Sequence, residues 1–540
     1  MADNAIFQEG TSEKVSVEPS TTVDTTVKPS TTAESATTVK PSTTAEPATA
    51  VKPPATAVKP LAADTKENAI KESKETATEK TEEMSSPENI EAMTEDSTVT
   101  EKAVDESFDV DVTTYLGTIK GLRQRVEGGG QLYTFLGIPY AQPPVGNKRF
   151  KPPTPVTAYG SLDARAFRSE CIQISNFGPK RGQLVGSEDC LFLNIFSPSL
   201  TVSKEALKPV MFWIHGGGFT SGSGNEYIPV ALAMKDVVVV TVNYRLSGFG
   251  FMTFGNDIIS GNMGLRDQQE ALKWVRRFIH NFGGDPDKIT IFGESAGAVS
   301  VHALHLSPRS IGLFSGAIAQ SGTMLLKKTK PEMSHEERNA KMIAEKFNCE
   351  STNYDSAMLK CLQNITAEEF LMNSMFVGFS LDASQQERER SNWWPCVDSY
   401  SSDPILPVEP LAALKTGSFN KVPMMSGTVH NEGGLQVMAL LGPAPDKETL
   451  WGYTGAQQLS ITKSGNITET EDDEVYFAKI ATKLYTADNY DLRETGQGWM
   501  DLFTDSSFLS PDQKMMELLH LKSKYYNKIW FGNDNYRNKR

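Results

Sequence analysis

The feature that most limits how this 540-residue chain can fold is a serine between glycines, set between an apolar run and a run of small residues. Gly293-Glu294-Ser295-Ala296-Gly297 follows the apolar run Lys288–Phe292 and leads into the helix-compatible stretch Ala296–His305. A G-x-S-x-G between strand and helix forms a tight turn in which bulkier neighbours clash, and it holds the serine hydroxyl clear of the backbone. Because five such residues also occur by chance, the prediction that Ser295 is a nucleophile depends on the surrounding sequence.

A second glycine-rich segment begins 80 positions upstream (295 − 215) and supports the first. The apolar run Pro209–Ile214 leads into His215-Gly216-Gly217-Gly218-Phe219. Three consecutive glycines are entropically costly to order, which favours a role in which main-chain N–H groups point at a ligand atom. The N–H groups of Gly217 and Gly218, with that of Ala296, are the predicted oxyanion hole. The alternative is a glycine-rich turn at a strand end.

At these residues the chain resembles the type-B carboxylesterases, the cholinesterase-like branch of the α/β-hydrolases. The resemblance covers roughly residues 109 to 540, and it implies an α/β-hydrolase fold with a mostly parallel central sheet flanked by helices. Further blocks that carry it, in the family's order, are Phe135–Ala141, Arg149–Phe150, Ser187–Asn194, Val242–Leu246, Gly261–Gln268 and Asn281–Pro286.

Continuous apolar runs indicate the same architecture without the resemblance. Four of them are strand candidates, and helical stretches such as Asp267–Ile279 separate some of them. Runs of this kind are typical of a mostly parallel sheet buried on both faces. The four predicted strands are Val237–Val242, Lys288–Phe292, Gly316–Gln320 and Val422–Ser426.

The resemblance also implies an acid and a base for Ser295, and the sequence supplies only the acid. Glu432 lies 137 positions after the serine (432 − 295), in a segment similar to the family's strand-loop-Glu-Gly block. The family's base is a histidine in a Gly-x-x-His setting beyond the last strand, which is predicted here at Lys524–Phe531. This sequence contains no such setting after that strand.

The other histidines are poor substitutes for that base. His430 is two residues from Glu432, His302 lies two helical turns beyond Ser295, and His520 falls in a predicted amphipathic helix. The expectation is therefore a chain truncated before its base and nearly inactive as written. The alternative is a non-catalytic, cholinesterase-like binding or adhesion protein with a disordered stalk.

The N-terminal residues have the composition of a solvated tail. Residues 1–108 are rich in Thr, Pro, Lys and Ala, and Val-Lys-Pro recurs at Val27, Val39, Val51 and Val58. Such a segment buries too little apolar surface to offset its ordering entropy, so disorder is predicted, as a linker or as an O-glycosylated stalk. Residues 109–540 then form the carboxylesterase-like domain.

Charge and hydropathy exclude several classes of partner. A net charge of −14 argues against nucleic acid or an anionic membrane as the main partner. No run approaches 18 apolar residues, so no transmembrane segment is predicted. Neither a metal site nor a cofactor is predicted, and the oligomeric state stays open.

The cysteines and sequons leave the compartment open. Cysteines occupy the positions at which the resembled family forms two disulfides, and Cys396 is left over. Disulfides and glycosylation sequons indicate the secretory route, whereas the N-terminus lacks a signal peptide and indicates the cytosol. The implied pairs are Cys171–Cys190 and Cys349–Cys361, and the candidate glycosylation sites are Asn364 and Asn466.

The predicted substrate is a small carboxylic ester other than acetylcholine. The cholinesterases carry a tryptophan in the first disulfide loop, on which a quaternary ammonium stacks. Here the loop from Cys171 to Cys190 has Phe177 as its only aromatic residue.

Overall fold

The computed structural model describes residues 104–127, 129–176, 179–326, 333–349, 355–374, 393–435, 437, 480–481, 483–487, 489 and 492–522. Most of the predicted tail, the predicted strand Lys524–Phe531, Phe177 and Asn466 lie outside these ranges. Within them, no helix combines the length and the apolar character that crossing a membrane requires.

The first eight strands precede the first α-helix, and strands and helices alternate between residues 208 and 320. The strands are β1 Val104–Thr114, β2 Gly117–Val126, β3 Gly130–Pro139, β4 Gly160–Asp163, β5 Gln173–Ile174, β6 Leu184–Val185, β7 Phe192–Ser197, β8 Lys208–Ile214, β9 Val238–Val242, β10 Gly284–Glu294, β11 Gly316–Gln320 and β12 Met424–Gly427. The helices are α1 Val230–Ala233, α2 Ser247–Phe251, α3 Met263–Phe278, α4 Ala296–Leu306, α5 Met333–Lys346, α6 Ser356–Gln363, α7 Ala367–Ser374, α8 Pro410–Thr416, α9 Leu492–Thr504 and α10 Ser510–Lys522.

One ten-stranded sheet organises the described residues, in the order β1-β2-β3-β7-β9-β8-β10-β11-β12 with β4 beside β2. From β9 to β12 the neighbouring strands are parallel. From β1 to β9 they are antiparallel. The α/β class is confirmed, and the parallel half is the part that holds the candidate site.

The predicted strands of the parallel half are all found. Gly316–Gln320 is β11 to the residue, and the other three runs contain all of β9, part of β10 and most of β12. All five residues of β9 are buried, as expected of a strand covered on both faces. β1 and β2 were not among the predicted strands because polar and charged residues interrupt their apolar residues. β1 begins at Val104, within the last residues assigned to the tail.

Two ion pairs hold the loops around this sheet. The Arg245 guanidinium donates to both Asp267 oxygens at 2.7 Å, and both side chains are almost completely buried. Arg149 contacts both Glu188 oxygens at 2.7 and 2.6 Å and also donates to the Ile365 carbonyl at 2.6 Å. Such bidentate pairs fix orientation as well as distance, so Arg149 links the first disulfide loop to the segment after α6.

Both implied disulfides are present. Cys171 is bonded to Cys190 and Cys349 to Cys361, with Cα–Cα distances of 4.8 and 5.6 Å. Cys396 is buried and takes part in neither.

Candidate functional site

Ser295 occupies a strained turn between β10 and α4. Its φ of 56° and ψ of −120° are unfavourable for a side-chain-bearing residue, and such conformations cost about 1–3 kcal/mol and cluster at functional sites. The turn is tight because a side chain on Gly297 would collide with the Ile214 carbonyl oxygen at the end of β8. The Ser295 N–H donates to the Gln320 carbonyl at 2.8 Å. Its hydroxyl has no hydrogen-bond partner in the part of the chain that the structure describes.

The glycine segment lies beside this turn, because β8 and β10 are parallel neighbours and Gly293 pairs with Ile214. A Cβ on Gly216 would lie 3.3 Å from the Ser295 Cβ. Gly217 and Gly218 have φ of 102° and 62°, values that side-chain-bearing residues rarely adopt. The structure therefore places the segment that carries both predicted N–H donors next to the serine.

The third predicted donor is the N–H of Ala296, the first residue of α4. The first N–H groups of a helix have no partner within it, and the helix dipole favours negative charge there. All eleven residues of α4 are buried, since this helix lies against β10 and β11. Its N-terminus is therefore fixed in position next to Ser295.

His215 and Tyr244 hold the glycine segment in place through hydrogen bonds and ring stacking. The His215 Nδ1 lies 2.8 Å from the Gly216 carbonyl oxygen, and the Tyr244 hydroxyl donates to the His215 carbonyl at 2.9 Å. The two rings stack with centroids 4.4 Å apart. Burial lowers the pKa of His215 to about 4, so the imidazole is neutral. Tyr244 was not predicted to have this role, although it lies in the block Val242–Leu246.

Glu432 follows β12 and reaches the same edge of the sheet. The register aligns Glu294, Gln320 and Gly427 across β10, β11 and β12. Only β11 separates β10 from β12, so the loops after these two strands begin at the same edge of the sheet. The Glu432 carboxylate accepts the Val429 N–H at 2.9 Å. This is the edge at which a side chain after β12 can meet groups near Ser295.

Glu294 and Asp512 are acidic neighbours of this site that sequence reasoning missed. Desolvation, and then the negative charge of Glu432, raise the pKa of the Glu294 carboxyl. Burial raises the pKa of Asp512 to about 6. The hydrogen bond from the Ser426 hydroxyl lowers this pKa, and the negative charge of Glu432 raises it further. Glu294 lies inside the serine motif and could have been flagged there, whereas no local pattern marks Asp512.

The described histidines do not bond to the serine or to the acid. His302 is buried, and its Nδ1 accepts the Met324 N–H at 2.9 Å. His430 and His520 are exposed, and His520 lies on α10 as the sequence predicted. Within the described ranges, neither Ser295 nor Glu432 has a histidine as hydrogen-bond partner.

Asn364 lies at the end of α6, three residues from Cys361, and it is exposed. Asn466 lies outside the described residues. Glycosylation at either asparagine stays a prediction.

Known proteins are similar to this chain in sequence and in architecture. A family model described as the carboxylesterase family matches residues 109–540. The carboxylic ester hydrolase of Bombus ignitus is 41% identical over 325 residues, 60% of this chain and 56% of that protein. Venom carboxylesterase-6 of Apis mellifera is 37% identical over 333 residues, 60% of this chain and 57% of its own. The chain thus matches less than two thirds of the length of these two relatives.

Longer matches agree with these. Liver carboxylesterase 1 of Oryctolagus cuniculus is 34% identical over 418 residues, which cover 74% of this chain and 71% of that protein. The crystal structure of juvenile hormone esterase from Manduca sexta, with OTFP covalently attached, superposes with a TM-score of 0.67 at 29% identity. This structural match covers 79% of this chain and 78% of the juvenile hormone esterase chain. The fold is therefore the α/β-hydrolase fold, and the chain belongs to the carboxylesterase family.

Proposed function

We propose that this protein hydrolyses carboxylic esters through an acyl-enzyme formed on Ser295. The observation that carries the proposal is the strained Ser295 turn beside the glycine segment, at the carboxyl ends of two neighbouring parallel strands. Backbone strain of this kind persists only where the surroundings enforce it. The strained turn and the adjacent glycine segment support a serine that acts beside main-chain N–H groups.

In the proposed reaction the Ser295 oxygen attacks the ester carbonyl while its proton passes to an imidazole. The N–H groups of Gly217, Gly218 and Ala296 stabilise the negative charge on the carbonyl oxygen, and such donors act most strongly in a site that excludes water. The alkoxide leaves with the proton from the imidazole, and water then releases the acid by the same steps in reverse. Glu432 is the residue that orients the imidazole.

The described residues bring no imidazole to Ser295 by hydrogen bonding, so we expect slow turnover by residues 1–540. The oxyanion hole alone accelerates a reaction by about 10³ over water in a well-studied serine protease. Added imidazole should therefore raise the rate in a saturable way, because it supplies a base that can accept the serine proton.

Small, generic carboxylic esters are the proposed substrates. The relatives named as carboxylesterases and the likeness to a juvenile hormone esterase support this class. The first disulfide loop has no tryptophan on which a choline could stack, so acetylthiocholine should be turned over much more slowly than a nitrophenyl ester.

The test combines a fluorophosphonate that labels activated serines with nitrophenyl acetate hydrolysis in the presence and absence of imidazole. Ser295→Ala is the matched control. We expect labelling and imidazole-dependent turnover in the wild type and neither in the control. A folded wild-type protein that shows neither would contradict the proposal and favour a non-catalytic binding protein.

A further inference from the structure

Gln173 is a buried polar residue near the candidate site to which the reaction above gives no role. It lies in β5, two residues after Cys171, and only 2% of its surface is exposed. Its Oε1 accepts the Gly222 N–H at 2.6 Å, while its Nε2 donates to the Gly222 carbonyl at 2.9 Å. The same Nε2 donates to the Cys171 carbonyl at 3.0 Å. One carboxamide thus pairs with both main-chain groups of a residue 49 positions away.

Gly222 closes the turn that begins at the glycine segment. A Cβ at this residue would lie 2.5 Å from the His215 Nδ1 and 2.6 Å from the Gly216 carbonyl oxygen. The Gly217 carbonyl accepts the Ser221 N–H at 3.1 Å. Residues 217–222 are therefore a compact unit in which Gly222 lies against His215 and Gly216.

A second bond joins the same two segments. The Asn176 Nδ2 donates to the Ser221 hydroxyl at 2.8 Å, and that hydroxyl donates to the Gly217 carbonyl at 3.3 Å. Asn176 is exposed whereas Gln173 is buried. The turn is therefore bonded to one buried and one exposed side chain of the disulfide loop.

The disulfide loop is itself fixed, so it can serve as a support. Cys171 and Cys190 are bonded and buried. Gln173 pairs with Val185 across β5 and β6, and the Ile172 N–H donates to the Ser187 carbonyl at 3.1 Å. A side chain on this frame holds its partner more firmly than a free loop does.

We propose that Gln173 is a positioning residue that holds the turn 217–222, so that the N–H groups of Gly217 and Gly218 face Ser295. The inference rests on the proposed esterase function of that site. Oxyanion-hole donors act only within a narrow range of distance from the developing charge. A shift of about 1 Å at a catalytic group lowers rates by as much as about a hundredfold.

The test compares Gln173→Met, which keeps the volume and removes the hydrogen bonds, with Gln183→Met, a change at an exposed glutamine of the same loop. Two kinds of measurement are made on the full chain. The first gives kcat and KM for nitrophenyl acetate with imidazole. The second gives the deuterium uptake of peptides covering 215–224 and 296–306. We expect Gln173→Met to lower kcat at least about tenfold, to change KM less than about threefold, and to raise uptake only in 215–224. Gln183→Met should match the wild type in all of these.

Asn176→Ala serves as the second variant if Gln173→Met does not fold, because it removes the other bond at an exposed residue. It should raise uptake in 215–224 to a smaller extent. Loss of turnover without faster exchange in 215–224, or faster exchange spread equally over both peptides, would overturn the proposal. If the wild type hydrolyses no ester, the esterase function fails, and the exchange comparison still decides whether Gln173 holds the turn.

Discussion

Acidification from pH 7.5 to pH 5 should destabilise this fold by several kcal/mol, because three buried histidines have lowered pKa values in it. His215, His302 and His305 are buried. Burial lowers the pKa of His215 to about 4 and that of His305 to about 3, and it holds the pKa of His302 well below its ordinary value. An unfolded histidine takes up its proton near pH 6.5. Below that pH the unfolded state binds more protons, so stability present above pH 6.5 is lost as the pH falls.

The linkage between proton binding and folding gives the size of this loss of stability. At pH 5 His215 and His305 each favour the unfolded state by about 2 kcal/mol, since that pH lies about 1.5 units below the unfolded pKa at about 1.36 kcal/mol per unit. Together they give about 4 kcal/mol, and the lowered pKa of His302 adds to the loss in the same direction. Asp512 acts in the opposite direction, because its pKa is raised to about 6 and the folded state gains that proton first, which offsets about 1.4 kcal/mol at pH 5. A loss of several kcal/mol is a large part of the stability of a typical domain, about 5–15 kcal/mol.

Urea denaturation followed by tryptophan fluorescence at the two pH values measures this loss. His305→Phe keeps the stacking on Phe419, whose ring centroid is 5.3 Å away, and removes the titrating group. We expect this variant to lose about 2 kcal/mol less than the wild type on acidification. His280→Phe, at an exposed position, controls for the loss of a histidine as such. Equal losses in the wild type and His305→Phe, or greater stability at pH 5, would refute the reasoning.

Three further predictions concern stability. Ser295→Gly should be about 1 kcal/mol more stable than Ser295→Ala in urea, because glycine adopts the φ of 56° without strain; equal stabilities would mean that the turn is unstrained. Asp512→Asn should be more stable than the wild type at pH 7.5 and not at pH 5, since it replaces a buried carboxyl with a raised pKa; a stabilisation that persists at pH 5 would contradict this. Replacing Cys171 and Cys190 together by serine should lower the unfolding free energy by about 3 kcal/mol, from the entropy of the loop that they close; an unchanged urea midpoint would show that the disulfide does not constrain the unfolded chain.

The parallel half of the sheet was predictable because its signals are local. Gly316–Gln320 is an uninterrupted apolar strand, and Gly293–Gly297 is a turn whose glycines are required by contacts within a few ångströms. The contacts of Gln173 and the electrostatic environment of Glu294 depend on residues 49 and 138 positions away (222 − 173; 432 − 294). No periodicity or spacing in the sequence reports such pairings, so only the assembled structure shows them.

The distance along the chain between the parts of the site has a consequence for folding. Gly217 and Ser295 follow neighbouring strands whose connection holds β9 and α3, and Glu432 follows a strand that lies later in the chain. Contacts of such long sequence separation form late, because the entropy of closing the intervening chain must be overcome first. A collapsed intermediate with helices and hairpins in place would still lack the arrangement around Ser295. The rate at which a serine-directed reagent becomes able to label a refolding sample should therefore follow the last step of assembly, well after circular dichroism has reached its final value.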